Sequence, residues 1–259
     1  MAAYEFCKVE KEGRLTIVTL NRPEVMNALH WPAHFELEKV WDEFAADPEQ
    51  WVAIVTGASD RAFSAGNDLK FQAAGNKIRR ARTGFAGLTN RYDLEKPVIA
   101  AVNGVAMGGG FEIALACDII VAAENAVFAL PEPRVGLMAG AGGVHRLPRQ
   151  IPVKQAMGMI LTGRRVSAQE GKELGFVNEV VPAGQALEGA KRWASMILEC
   201  SPMSIRASKQ AAYRGLDQPN LENAVRTVYT AQAAMIESED YVEGPKAFAE
   251  KRPPQWKNR

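Results

Sequence analysis

Apolar positions along this 259-residue chain fall into short unbroken runs separated by amphipathic stretches. Residues 15–20 alternate branched apolar residues with threonines and end at Asn21-Arg22-Pro23, the pattern of a strand and turn. From 32 to 44, apolar residues return at helical spacing (Phe35, Leu37, Val40, Trp41, Phe44), and Asp47-Pro48 stops the helix. Residues 52–57, 97–104, 118–122 and 126–130 read as buried strands. Such strands alternating with helices predict an α/β layered fold whose strands are covered on both faces. Beyond Pro202 the pattern changes: 203–216, 221–238 and 243–251 are helical, with no strand among them. The chain is therefore expected to divide into an α/β core, 1–200, and a helical part, 201–259. The second part is too short to hold a large core, so Val225, Val228, Tyr229, Met235 and Ile236 should pack on the core or on another subunit.

Composition narrows the function classes. An apolar fraction of 47% is enough for one large domain with an appendage. A net charge of +1 gives no global field to mark a nucleic-acid or acidic-polymer partner. Cys7, Cys117 and Cys200 are widely spaced, the usage of a reducing compartment and not of a disulfide framework. The first residues, Met1-Ala2-Ala3-Tyr4-Glu5-Phe6, lack the basic and apolar regions of a signal peptide, and no apolar run reaches membrane-spanning length. A cytoplasmic protein without a membrane partner is expected.

Two acids stand out against this apolar background. Glu112 follows the triplet Gly108-Gly109-Gly110 inside a core-like run, and Glu132 lies between prolines in Leu130-Pro131-Glu132-Pro133. A carboxylate among core residues is costly to bury ionised and tends to acquire a raised pKa or a partner. Beside a glycine turn that opens a helix, two such acids suit proton transfer next to an anion-binding backbone. The plainer alternative makes Glu112 a helix first-turn residue and Glu132 a surface charge. The segment 103–112 is neither a dinucleotide fingerprint nor a P-loop, since the third glycine and the Gly-Lys-Ser/Thr are missing. A second strand-to-loop turn, Phe63-Ser64-Ala65-Gly66-Asn67-Asp68-Leu69, reads as a backbone donor to a ligand; Ser64 lacks the flanking glycines of a nucleophile elbow. His30 and His34 stand four apart, but Pro32 between them favours surface or capping roles over a metal pair. Lys77, Arg79, Arg80, Arg82 and Arg91 form a basic stretch, read first as a solvated helix face and second as an attraction for phosphates.

With Ala65-Gly66-Asn67-Asp68-Leu69, the run 97–112, Leu130-Pro131-Glu132 and Gly140-Ala141-Gly142-Gly143 in view, the chain resembles the crotonase (enoyl-CoA hydratase/isomerase) superfamily. The likeness runs from Asn21-Arg22-Pro23 to Ala247-Phe248-Ala249-Glu250-Lys251-Arg252. It implies a crotonase-like spiral of ββα units with a C-terminal helical trimerisation region, in a homotrimer or homohexamer. It further implies an acyl-CoA thioester substrate, and no cofactor or metal beyond the CoA moiety. The thioester oxygen would lie between the backbone N–H groups of Asn67 and Gly109. CoA would be held along Ala28, Ala65, Gly66, Asp68 and Leu69, with a neighbouring subunit supplying the segment that matches Phe248 and Lys251. Glu112 matches the acid that activates water for attack at C3, and Glu132 the one that exchanges a proton with C2. Retention of both favours reversible hydration of a 2-enoyl-CoA over isomerisation, which often keeps only the second acid. Stretches such as Gly84-Phe85-Ala86-Gly87-Leu88-Thr89 and Thr162-Gly163-Arg164-Arg165 also resemble the carnitinyl-CoA dehydratase branch. Against that branch stand the glycine-rich 140–143 turn and the basic 77–91 stretch, which would repel a trimethylammonium group. Trp31 and Tyr229 are the candidate aromatic residues for caging such a cation.

Overall fold

The computed structural model describes residues 4–76, 79 and 81–259; Lys77 and Arg80 of the basic stretch lie outside them. A hairpin of β1 (Cys7–Glu12) and β2 (Leu15–Leu20) opens the chain. Helix α1 (Trp31–Ala46), β3 (Val52–Gly57), the short β4 (Ala62–Ser64) and the short helix α2 (Leu69–Ala73) follow. Next come β5 (Val98–Val102), β6 (Val105–Met107), α3 (Gly109–Ala116), β7 (Ile119–Ala123) and β8 (Val127–Ala129). Then come α4 (Gly143–Gln150), α5 (Val153–Thr162), β9 (Val166–Ser167), α6 (Ala168–Leu174), β10 (Glu179–Val181) and α7 (Ala186–Leu198). The chain closes with α8 (Pro202–Leu216), α9 (Leu221–Arg226), α10 (Thr230–Ile236) and α11 (Glu239–Glu250).

One sheet runs β1-β2-β3-β5-β7-β10, the other β4-β6-β8-β9. The chain repeatedly leaves a long strand of the first sheet, adds a short parallel strand to the second, and turns into a helix: β3–β4–α2, then β5–β6–α3. This is the spiral of ββα units that the resemblance implied. The step between sheets is tight. A Cβ at Gly104 would lie 2.6 Å from the Arg61 carbonyl, so only glycine fits there. Buried Asn103 locks two successive steps together, donating to the Gly57 carbonyl (3.0 Å) and accepting from the Gly57 N–H (3.2 Å). β3 and β5 are buried along their whole length, which explains their continuous apolar sequence. Between the layers, Phe111, Phe128 and Phe176 meet with ring centroids 5.1–5.2 Å apart and support α3 from below.

The expected helix 221–238 is two helices, α9 and α10, broken at Thr227-Val228-Tyr229. Thr227 is extended (φ −69°, ψ 131°), its hydroxyl donates to the Asn223 carbonyl, and the Tyr229 hydroxyl donates to the Ala224 carbonyl. Three residues branched at Cβ or aromatic, with local side-chain bonds competing for helical carbonyls, account for the break. The 79–91 stretch is likewise no helix face: its described residues form only a short 3₁₀ turn, Phe85–Gly87, and Arg91 is buried between Asp42 and Asp93. α8 docks on the first sheet through Lys209, whose ammonium reaches the Asp118 carboxylate at 2.8 Å and the Lys96 carbonyl at 2.9 Å. Tyr229 is buried, whereas Val225, Val228 and Ile236 are exposed in the single chain. Among the described residues, no helix is long and apolar enough to cross a membrane.

Candidate active site

The site forms where two glycine turns, each following a short strand of the second sheet, meet backbone to backbone. A Cβ on Gly66 (φ 87°) would lie 2.5 Å from the Met107 carbonyl and 2.8 Å from the Gly109 nitrogen. A Cβ on Gly110 would overlap the Ser64 carbonyl. Only glycines permit this approach. Ser64, buried, is spent on the turn: its hydroxyl donates to the Asn27 carbonyl (2.8 Å) and accepts from the Gly66 N–H (3.1 Å). Gly109 is the first residue of α3, so its N–H has no helical acceptor. Among the described residues, neither the Gly109 N–H nor the Asn67 N–H donates to a protein acceptor. Both residues line a cavity of ≈ 430 Å³ with Glu112 and Glu132, together with Ala65, Leu69, His34, Phe85, Leu137 and Met138.

Glu112 sits in the first turn of α3, buried except for 3% of its surface. Its Oε1 accepts the Gly143 N–H at 2.8 Å. Burial pushes its carboxyl up to about 7. Glu132 adds to the rise, while the Gly143 and Ala141 N–H groups and the Arg146 charge oppose it. Glu132 begins the 3₁₀ turn Glu132–Val135, and burial raises its carboxyl as well. Its Oε2 is buried and, among the described residues, makes no hydrogen bond. A Cβ on Gly108 (φ 52°) would lie 2.7 Å from its Oε1, so this glycine gives the second acid its place beside the donor turn. The two acids therefore face the same cavity with different environments, one anchored by backbone and one with a bare oxygen. Such a pair can hold a proton on one member and a charge on the other near neutrality.

Ala65, Asn67 and Leu69 line the cavity. Gly66, Asp68 and Ala28 adjoin it: the Leu29 N–H donates to the Gly66 carbonyl and the Asp68 N–H to the Leu29 carbonyl, laying the two segments side by side. Asp68 is also a structural ion-pair partner, 3.0 Å from Arg22, and caps α2 at the Phe71 N–H. Burial pushes its carboxyl up, but the Phe71 N–H and Arg22 outweigh that and hold it below its ordinary value. Phe248 and Lys251, at the far end of α11, are exposed and do not line the cavity of their own chain.

Of the surface or capping roles expected of the two histidines, His30 takes the capping one and His34 takes neither. His30, buried, caps α1, its Nδ1 accepting the Ala33 N–H. His34 lies in the cavity wall against Phe85, with ring centroids 4.3 Å apart, and its Nδ1 accepts the Ala86 N–H at 3.1 Å. Burial pushes it down to about 4 and keeps it neutral. Phe85 in turn packs onto Gly109, where a Cβ would meet its ring at 2.5 Å. The sequence reading did not find His34, Phe85 or Gly143 as site residues; only the fold of the 84–89 loop over α1 brings the first two in. Neither candidate cage residue faces the cavity. Trp31 meets Phe35 edge-on and already carries the Arg79 guanidinium 5.1 Å from its ring, and Tyr229 lies among the C-terminal helices.

Known proteins share this architecture. The sequence profile of the enoyl-CoA hydratase/isomerase family matches residues 10–259. Carnitinyl-CoA dehydratases from Salmonella typhi and Escherichia coli are each 43% identical over 261 residues, covering 98% of this chain and 99% of theirs. The crystal structure of an enoyl-CoA hydratase from Mycobacterium tuberculosis H37Rv superposes with a TM-score of 0.92 at 37% identity, over 98% of this chain and 99% of that one. That of a carnitinyl-CoA hydratase from Mycobacterium avium gives 0.79 at 41% identity, over 99% and 100%. A match of this length, at this identity and on the same spiral, places the chain in the enoyl-CoA hydratase/isomerase family, the crotonase superfamily.

Proposed function

We propose that the protein is an enoyl-CoA hydratase, a hydro-lyase that reversibly adds water across the C2–C3 double bond of a 2-enoyl-CoA. The observation that carries this reading is that Glu112, held by the Gly143 N–H, and Glu132, set against Gly108, face one cavity with Asn67 and Gly109, whose N–H groups are unpartnered among the described residues. The thioester oxygen sits between the N–H groups of Asn67 and Gly109. Ionised Glu112 takes a proton from water as its oxygen bonds to C3. The C2–C3 π electrons move toward the thioester oxygen, and the two donors stabilise the enolate, each such donor being worth about 3 kcal/mol. Neutral Glu132 then gives its proton to C2, and solvent returns the proton from Glu112 to Glu132. Both carboxyls are raised, so the cavity can hold one charged and one protonated acid near neutrality, while the assignment of the proton to Glu132 follows from the resemblance.

CoA runs along Ala28, Ala65, Gly66, Asp68 and Leu69. A second copy of the chain supplies Phe248 and Lys251 in a homotrimer or homohexamer, and the exposed Leu221, Val225 and Val228 suit such burial. The reaction needs no cofactor beyond the substrate's own CoA. The free cysteines suit a reducing compartment, the cytoplasm.

A second reading, hydration of crotonobetainyl-CoA, is favoured by the 43% identity to carnitinyl-CoA dehydratases. Against it, among the described residues the cavity wall carries Arg79 and Arg134 but no carboxylate besides the catalytic pair to attract a trimethylammonium group. Mixing the protein with crotonyl-CoA and, separately, crotonobetainyl-CoA while following the conjugated-thioester absorbance tests both. Loss of the band with crotonyl-CoA, reduced by at least about 100-fold in Glu112→Gln and in Glu132→Gln, is expected. Loss with crotonobetainyl-CoA alone establishes the second reading. Near-normal turnover in both variants would sink the mechanism, and survival of double-bond migration in Glu112→Gln alone would mark an isomerase.

A further inference from the structure

The Gly140-Ala141-Gly142-Gly143 turn that grips Glu112 is itself held by a side chain outside the catalytic pair. Arg146, one turn into α4 and half-buried, donates from Nη2 to the Thr89 carbonyl at 2.6 Å and from Nη1 to the Ala141 carbonyl at 3.4 Å. It thereby ties together two loops of the cavity wall, since both Thr89 and Ala141 line it. Its guanidinium is packed so closely on Gly142 (φ 110°) that a Cβ there would overlap it. The Arg146 N–H closes the turn on the Gly142 carbonyl at 2.7 Å. A half-buried guanidinium ordinarily finds a carboxylate, yet among the described residues Arg146 is within ion-pair distance of none. Its charge favours ionised Glu112, less strongly than the Gly143 and Ala141 N–H groups do.

We propose that Arg146 is a positioning residue: it clamps the 140–143 turn against the 84–92 loop and so aims the Gly143 N–H at Glu112, the water-activating base. The role in catalysis rests on the hydratase reading; the clamp does not. Burial raises the proton affinity of Glu112 most, and Arg79 and Arg134 line the same cavity; Glu132 raises that affinity further and Arg146 lowers it. The Gly143 and Ala141 N–H groups lower it further, and both belong to the clamped turn. Loss of Arg146 therefore removes an opposing charge and loosens both donors, and each change favours the protonated acid.

The test combines kinetics with a direct titration of Glu112. Its carboxyl is followed by infrared spectroscopy of the whole protein, the band being assigned by its loss in Glu112→Gln. In Arg146→Met the titration is expected to move up by about one pH unit, and in Arg146→Lys by less, because a lysine keeps the charge but only part of the clamp. The acid limb of kcat for crotonyl-CoA hydration should move with it. At pH 7, kcat should fall about fivefold, with KM changed less than about threefold, and activity should recover at higher pH. A merely structural role would lower the whole profile without moving the limb. An unmoved Glu112 titration in both variants would overturn the proposal, whatever happens to activity, and if Arg146→Met does not fold, Arg146→Lys decides alone. A wild-type protein inactive toward both enoyl-CoA probes, but with a titration that shifts in the variants, would discard the hydratase reading and leave the clamp standing.

Discussion

Replacing Glu112 by Gln should stabilise the fold above neutral pH while removing turnover. The wild-type acid is buried at 3% exposure among apolar neighbours, and its carboxyl is pushed from 4.5 up to about 7. Between those values the folded chain keeps a proton that the unfolded chain has released. Stability therefore falls as pH rises through this window, by about 1.4 kcal/mol per pH unit. The whole shift corresponds to about 3 kcal/mol, fully present above about pH 7 and absent below about 4.5. Glutamine carries no charge to desolvate, and its amide oxygen can still accept the Gly143 N–H. Urea unfolding of both proteins at fixed concentration, at pH 5 and pH 9, measures the effect. A gain of about 3 kcal/mol at pH 9 that shrinks to under about 1 at pH 5 is expected. A gain equal at both pH values, or a loss at pH 9, would refute the claim that the site stores the cost of an ionised, buried base.

Two other substitutions probe the architecture around the acids. Gly108→Ala places a methyl group 2.7 Å from Glu132 Oε1 at a φ of 52°, so the carboxyl must retreat; kcat for crotonyl-CoA hydration should fall about 100-fold with KM little changed, and an unchanged kcat would mean Glu132 is not held by this turn. Lys209→Met leaves the Asp118 carboxylate without its cation under α8 and should cost about 3 kcal/mol in denaturant unfolding, whereas Lys209→Met with Asp118→Asn should recover part of the loss.

Much of the chemistry was legible because the residues that carry it violate their surroundings. Glu112 and Glu132 are acids in apolar runs, and the glycine triplet interrupts a strand-to-helix junction where no composition argument calls for three glycines. Long buried strands such as Val52–Gly57 were equally plain, since a strand covered on both faces has no polar side to obscure it. The resemblance then joined these separated segments into one site. Misreadings cluster where local pattern competes with distant contacts. Residues 221–238 carry enough apolar spacing for one helix, yet local hydroxyl-to-carbonyl bonds divide it. Arg91 looked solvated in a basic stretch because its partner, Asp42, comes from α1.

The sequence by itself determined the alternation of strands and helices, the break before the C-terminal helices, the two acids and the glycine turns, because each is written in neighbouring residues. Tertiary structure alone decided what those acids touch. Gly143 reaches Glu112 across 31 positions, and Arg146 reaches the Thr89 carbonyl across 57. His34 is committed to the Ala86 N–H across 52. Proton affinity in a buried site depends on such through-space neighbours and on the loss of water around them, neither of which has a period or a spacing along the chain.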